Sequence, residues 1–293
     1  MSGNNKITVV IPHKNQAEFL EQALASVYAQ TYQPFEVIVV DDASDNGQKD
    51  KILGFRKQHE WDFKWIELSK ASGPSVARNE GIKQASGDFI ALLDADDYWS
   101  PQHLLFFIKS LKKHKDLRFY SSRTILSEKE ILFPNSDDPV VLKGDYFEFA
   151  VKNPLVVNSS SVIVKRELFQ NSGLFHEEVK VFEDMDRWIA LGRNVSLYFQ
   201  DNPTVLYRKS SLRSLSTSIE EYKNPAVVRM IKGWWTDATT GTEKEFIQLN
   251  YFGYWMRFVK AWKKPPPEIH KMIKPEYLNR RNKWIYRLLK NFF

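Results

Sequence analysis

Cysteine is absent from the 293-residue chain. That excludes a disulfide framework, a thiolate metal site and a cysteine nucleophile, and it suits a reducing compartment. Long apolar runs are missing too. No stretch approaches the roughly 20 residues that span a bilayer. The polar start Met1 to Lys6, followed by an apolar run only from Ile7 to Ile11, lacks the pattern of a secretory signal. The expectation is a soluble or peripheral protein, cytoplasmic and, if peripheral, on the inner face of the membrane. No Gly-x-Gly-x-x-Gly follows the first apolar strand; Pro12-His13-Lys14-Asn15 stands there instead. This argues against a dinucleotide-dependent dehydrogenase, and against a nucleotidyltransferase with a glycine-rich phosphate loop. The six histidines show no metal-ligand spacing, and there are no internal repeats.

What is present can bury a core: 43% of residues are hydrophobic and 14% aromatic. Ile7-Thr8-Val9-Val10-Ile11 is a β-branched run ended by Pro12, as expected of a buried first strand. Asn15, with Glu18 three residues on, reads as a helix N-cap, and Leu20, Ala23, Leu24 and Val27 follow at helical spacing. Phe35 to Val40 reads as a second strand running into the turn-forming loop Asp41 to Gly47. A helix holding Ile52 and Phe55, a strand at Trp65 to Leu68, a helix begun by Gly73-Pro74 and a strand at Phe89 to Leu93 complete the run. Strand and helix alternating over short connections predict a mainly parallel α/β sheet between helices. Ligands of such sheets sit at the carboxyl ends of the strands.

Three carboxylates, Asp94, Asp96 and Asp97, close the fourth strand. Ionised carboxylates are costly to bury without a cationic partner. In an extended segment alternate residues share a face, so the spacing predicts that Asp94 and Asp96 point at one place. Oxygen ligands converging there suit Mg or Mn, which often also binds phosphate oxygens. A solvated acidic turn before a helix opened by Ser100-Pro101 would use the same residues. Asp41 reads as a turn cap, and Trp99 and Trp188 as core or pocket wall.

After Tyr120 the rhythm changes. Residues 121–143 suggest a hairpin or irregular strands, Tyr146 to Val151 a short helix, and Ser161 to Val164 a strand. Val181 to Gly192 reads as an acidic loop entering a helix, and Val195 to Phe199 as a strand before a basic, serine-rich loop. From Ile219 helix is expected, broken at Pro225 and Pro265-Pro266-Pro267. Residues 257–293 carry eleven Lys and Arg against two Glu, a net +9 in a chain whose total is +6. Leu278, Ile285, Leu288, Leu289 and Phe292 fall near one helical face there, and Arg280, Arg281, Lys283, Arg287 and Lys290 populate much of the rest. Such a helix either lies on an anionic membrane surface or docks its apolar stripe on the protein. No nucleic-acid motif accompanies the charge, so no nucleic-acid partner is expected.

Four separated stretches together carry a resemblance. They are Val9 to Asn15 with Ser26 to Tyr32, Val39 to Ser44, Gly73 to Asp97, and Glu183-Asp184-Met185-Asp186. In this order they resemble the family 2 glycosyltransferases, inverting enzymes of the GT-A fold. The resemblance implies a glycosyltransferase domain over residues 1–216, with a nucleotide-sugar half (1–120) and an acceptor half (121–216). Residues 217–293 would form a helical, basic extension. Asp42 would bind the uracil of a uridine diphosphate sugar, with Pro12 and Asn15 on the pocket floor and Arg78 near the donor sugar or diphosphate. Asp94 and Asp96 match the family's Asp-x-Asp metal motif, Asp96 being the direct ligand of Mn or Mg. Asp184 matches the general base. The implied reaction moves a sugar from a nucleotide diphosphate donor to a saccharide or lipid-linked acceptor in surface polysaccharide or glycolipid synthesis. One departure stands out: many relatives carry Tyr-Arg-x-His where this chain has Tyr207-Arg208-Lys209-Ser210. Lys209, Arg213 or Arg208 would then supply the charge at the diphosphate. The alternative is a catalytically silent nucleotide-sugar-binding scaffold subunit.

Overall fold

The computed structural model describes residues 5–129, 131–134, 136–153, 156–208, 219–260, 265 and 271–290. Its first half is set by strands that bury both faces. Strands β1 (Ile7–His13), β2 (Glu36–Asp41), β3 (Lys64–Glu67) and β4 (Phe89–Leu92) lie parallel in the order β3-β2-β1-β4. Alternate residues go to opposite sides. Val10, Ile38, Val40, Ile90 and Leu92 enter one core, and Ile7, Val9, Ile11, Val37, Val39, Phe89 and Ala91 the other. Helices α1 (Ala17–Tyr28) and α2 (Asn46–His59) cover the second core together with α4 (His103–Lys113). Helix α3 (Pro74–Gln84) covers the first. It lies so close to β1 that a Cβ on Gly81 would sit 2.3 Å from a methyl of Val10.

Two local expectations are corrected here. Strand β1 does not end at Pro12 but runs to His13, in register with Val40 and Asp41 of β2. On its other side β1 pairs with β4 only as far as Val10, so the missing proline N–H falls where one neighbour has already left. Asn15 is not the cap of α1; Gln16 holds that position without a side-chain cap bond, and Asn15 sits at φ 53°.

The second half makes the sheet mixed. Beyond β4 the order continues β8 (Val162–Lys165), β6 (Phe119–Ser127), β9 (Leu197–Arg208) and β5 (Tyr98–Trp99), with β7 (Val141–Gly144) also on β9. Strand β8 is antiparallel to β4 and β6, whereas β6 and β9 are parallel. Of the hairpin or irregular strands expected over residues 121–143, the described residues show irregular strands: β6 shifts register against β9 between Ser122 and Thr124, and β6 and β7 each pair with β9, which lies between them. Strand β9 also runs past Phe199 to Arg208, because β6 and then β5 offer it partners over that length. Helices α5 (Tyr146–Lys152), α6 (Arg166–Ser172) and α7 (Glu183–Gly192) pack on the face that α3 covers.

Helices α8 (Ile219–Tyr222), α9 (Pro225–Thr236), α10 (Gly241–Lys260) and α11 (Arg280–Leu289) complete that layer. The helix expected from Ile219 is broken at Pro225: α8 ends at Tyr222, and Pro225 occupies the first turn of α9, where the Asn224 side chain accepts from the Ala226 N–H at 2.9 Å. Trp234, Phe246, Tyr251, Trp255, Phe258 and Tyr286 are buried in the same core as Val10 and Leu92. The apolar stripe expected of the tail therefore turns inward at Leu278, Ile285 and Tyr286. Arg280, Arg281, Trp284 and Arg287 face outward, Trp284 with 64% of its surface exposed. The Leu288, Leu289 and Phe292 side chains, and the proline triplet apart from Pro265, lie outside the described residues. No described helix is long and apolar enough to cross a membrane.

Candidate active site

The loops after β1, β2 and β4 open on one side of the sheet, as parallel strands require. The β1 and β2 loops are tied together. The Asn15 N–H donates to Ser44 Oγ at 2.9 Å, and Asn15 Oδ1 accepts from the Asp45 N–H at 2.8 Å. Asn15 and Ala43 both adopt left-handed backbone, uncommon for residues other than glycine. Such strain persists where the surroundings enforce it and gathers at functional sites. Asp41 is fully buried and accepts from the Ser44 N–H at 3.1 Å, the turn-capping role read for it. Asp42, buried beside it, accepts from the Ser72 N–H at 2.5 Å and the Gly73 N–H at 2.9 Å, with Lys14 Nζ 3.8 Å away. A carboxylate has about four acceptor sites, so Asp42 keeps capacity for a further donor.

Beyond β4 the chain turns instead of staying extended: the Asp97 N–H donates to the Asp94 carbonyl at 3.1 Å. Strand alternation thus does not bring Asp94 and Asp96 together; the turn does. Burial, and then the charge of Asp94, raises the Asp96 carboxyl to about 6. Asp97 is buried and also raised, by burial first and by its two neighbours next. It accepts from Ser160 Oγ at 2.5 Å and from the Arg208 N–H at 2.9 Å. The same Ser160 oxygen accepts from the Asp94 N–H at 3.1 Å. Asp97 and Ser160 are therefore the brace of the acidic turn.

Two arginines border the cluster. Arg78, buried on α3, donates to Asp94 Oδ1 at 2.7 Å and to Glu183 Oε1 at 3.2 Å, tying the β4 turn to the start of α7. Its neighbour Asn79 holds the approach to α7: Nδ2 donates to the Phe175 carbonyl and Oδ1 accepts from the Phe175 N–H, both at 2.9 Å. Arg208 Nε donates to the Asp96 carbonyl at 3.1 Å and Nη2 to Gln22 Oε1 at 2.6 Å. Of the three cations expected to replace the missing histidine, Arg208 stands beside Asp96; Lys209 and Arg213 lie outside the described residues.

Glu183 and Asp184 open α7, where a helix N-terminus favours negative charge. Asp184 Oδ1 accepts from the Met185 N–H at 2.7 Å. Burial raises the Asp184 carboxyl, Arg78 lowers it and Asp94 raises it again. Burial and then Asp184 raise Glu183 to about 7. Asp94, Asp96, Arg78 and Asp184 are thus brought into one electrostatic neighbourhood, while Pro12, Asn15 and Asp42 sit at the ends of β1 and β2. Trp99 and Trp188 are core residues. Sequence reasoning missed Ser160 and Asn79, whose partners lie 63 and 96 residues away.

Among the described residues no three His, Cys, Asp or Glu side chains form a ready metal cage. The donor set nevertheless fits a hard cation held by one or two carboxylates and completed by phosphate oxygens and water. The excess of buried negative charge around Asp94 and Asp96 is what such an ion would offset.

Known proteins share this architecture. The model of glycosyl transferase family 2 matches residues 8–168. ExoW of Rhizobium meliloti, a succinoglycan biosynthesis protein, is 32% identical over 181 residues, 56% of this chain and 56% of ExoW. The chain thus spans little more than half the length of that relative. YwdF of Bacillus subtilis, an uncharacterised glycosyltransferase, is 30% identical over 207 residues, 69% of this chain and 74% of YwdF. Among solved structures, S. aureus TarS 1-349 in complex with UDP-GlcNAc superposes with a TM-score of 0.68 at 18% identity, covering 93% of this chain and 82% of that one. The mannosyltransferase PcManGT of Pyrobaculum calidifontis, in complex with GDP-Man and Mn2+, gives 0.63 at 16% identity, covering 97% and 87%. With more than half its length matched by the family model and its sheet built on the GT-A plan, the chain belongs to glycosyl transferase family 2.

Proposed function

We propose that the chain transfers a sugar from a uridine diphosphate donor to a saccharide or lipid-linked acceptor, with inversion at the anomeric carbon. The observation that carries this is the joining of the acidic β4 turn to the start of α7, where Asp184 follows Glu183: Arg78 donates to Asp94 on one side and to Glu183 on the other. TarS bound to UDP-GlcNAc and PcManGT bound to GDP-Man and Mn2+ support a nucleotide-sugar donor and a divalent cation. The part of ExoW in succinoglycan biosynthesis supports a polysaccharide product.

In this reading residues 1–120 hold the donor, residues 121–216 the acceptor, and 217–293 form the extension. Asp42 accepts a base N–H, Pro12 and Asn15 shape the floor, and Arg78 orients Asp94. Asp94 and Asp96 hold Mn or Mg, which when bound neutralises the leaving diphosphate. Asp184 takes the proton from the acceptor hydroxyl as its oxygen bonds to the anomeric carbon. The bond from that carbon to the diphosphate oxygen breaks, and uridine diphosphate leaves with the electron pair. A carboxylate whose proton affinity is raised by burial is a better acceptor for that proton. Release of uridine diphosphate from a panel of UDP-sugars, with Mn2+ and polysaccharide or glycolipid acceptors, tests the reading. Mn2+-dependent release is expected; none from any UDP-sugar, or turnover of GDP-sugars alone, would overturn it.

The outward face of α11 supports peripheral binding to an anionic membrane carrying the acceptor. Arg280, Arg281 and Arg287 surround exposed Trp284, cations and an amphipathic ring suited to the lipid headgroup region. Co-sedimentation with phosphatidylglycerol vesicles checks it. Binding weakened in R280A/R281A/R287A is expected, and equal binding would contradict it.

A further inference from the structure

Three aromatic rings, one from each of three C-terminal helices, meet on Phe182. Tyr222 of α8, Trp234 of α9 and Tyr254 of α10 have ring centroids 5.5, 6.0 and 5.8 Å from it. Phe182 immediately precedes Glu183 and Asp184 and has φ 63°, ψ 8°. For a bulky aromatic residue that left-handed backbone is a genuine outlier, which persists only when the surroundings over-determine it. Here the surroundings are the C-terminal helices. Tyr222 and Tyr254 brace one another, the Tyr254 hydroxyl donating to the Tyr222 carbonyl.

A second set of bonds joins the same helices to α7. The Trp234 indole N–H donates to Asp186 Oδ1 at 2.7 Å, and the Asp186 N–H donates to the Phe182 carbonyl at 2.9 Å. At the other end of α7, Arg193 Nε donates to Glu243 Oε1 at 2.6 Å and Nη2 to the Trp234 carbonyl at 2.7 Å. Helix α7 is thus gripped at both ends from the extension, while Arg78 holds Glu183 from α3.

We propose that the C-terminal helices are a positioning element of the transfer site: their clasp on Phe182, with the Trp234–Asp186 bond, fixes the turn that aims Asp184. The proposal rests on Asp184 being the base. It assigns Phe182, Tyr222, Trp234 and Tyr254 a part in turnover although none of them carries the chemistry. The donor-side residues Asp42, Asp94 and Asp96 stand on the β2 and β4 loops, so loosening the clasp should lower turnover and spare donor affinity.

Full-length Phe182→Ala, Phe182→Tyr and Trp234→Phe test this beside Asp184→Asn. The readouts are kcat for uridine diphosphate release from the UDP-sugar that wild type turns over fastest, uridine diphosphate affinity with Mn2+, and thermal midpoint. Misplacing a reacting group by about 1 Å can lose roughly 10²-fold in rate. Phe182→Ala is therefore expected to lower kcat about 10- to 100-fold with affinity within about two-fold. Phe182→Tyr, which keeps the ring, should restore most of the loss. Trp234→Phe keeps a ring for Phe182 and loses only the N–H donor, so it should give a smaller fall of the same kind; it decides the matter if Phe182→Ala does not fold. Unchanged kcat in both variants, with only the thermal midpoint lowered, would overturn the proposal while Asp184→Asn is inactive. Wild-type kcat in Asp184→Asn would instead remove the base on which it rests.

Discussion

Two acidic loops at the same edge of the sheet are built on opposite principles. After β2, Asp41 and Asp42 accept from the backbone N–H groups of Ser44, Ser72 and Gly73. After β4, Asp94, Asp96 and Asp97 crowd into one turn across from Glu183 and Asp184, and burial raises the carboxyls of Asp96, Asp97, Glu183 and Asp184. The first loop is held by backbone N–H groups and presents a fixed carboxylate acceptor at Asp42. The second holds more carboxylates than Arg78 and Arg208 can pair, the arrangement on which the proposed cation site rests. A shaped contact and a charge reservoir are different tools: one suits recognition of a base, the other a cation and a phosphate.

The difference can be broken from the reservoir side first. Asp184→Asn should lower kcat for sugar transfer by roughly 10²–10⁴-fold, the usual contribution of a positioned base, with uridine diphosphate affinity unchanged; steady-state kinetics and calorimetry check both halves. The next effect is on stability and has opposite signs at the two loops. Asp42→Ala leaves the Ser72 and Gly73 N–H groups without their acceptor and should cost about 1–3 kcal/mol. Asp96→Ala removes a half-buried charge that desolvation and Asp94 disfavour, and should raise the metal-free thermal midpoint at pH 8. Denaturant titration of both variants without metal would show whether the signs differ.

The smallest effect is in pH. The Asp96 and Glu183 carboxyls titrate near 6 and 7 in the folded chain, above their ordinary values of 3.8 and 4.5. The folded state therefore binds more protons than the unfolded one between about pH 4 and 7, and their contribution to stability falls as pH rises through that window. Two buried histidines work the other way. Burial lowers His13 to about 4, against a raising pull from Asp41, and His103 to about 3, so they remove stability as pH falls below 6.5. The difference between wild type and Asp96→Asn isolates the Asp96 part: relative to wild type, the variant should lose less stability as pH rises from 5 to 7, by up to one proton's worth, about 1.4 kcal/mol per pH unit.

The parallel half was legible because its signals are local. The run Ile7 to Ile11, the helical spacing of Leu20, Ala23, Leu24 and Val27, and the Asp94-Ala95-Asp96-Asp97 cluster need no distant partner to be read. The rest depends on contacts far apart in sequence. Strand β9 reaches Arg208 only because β5 and β6 pair with it, and β7 looks like half a hairpin until β9 takes the place beside it. Asn15 has the composition of a helix cap, but its side chain goes to Asp45 across the neighbouring loop. Nothing in the letters marks Phe182 as left-handed, since glycine and asparagine carry that signal and phenylalanine does not.

The most direct measurement is calorimetric titration of uridine diphosphate into wild type and Asp96→Ala, each with and without Mn2+. If the β4 turn is the cation reservoir of a donor site, wild type binds in a Mn2+-dependent manner, and the dependence disappears in Asp96→Ala. Binding of equal strength in both proteins, with or without the metal, would contradict the role given to Asp96.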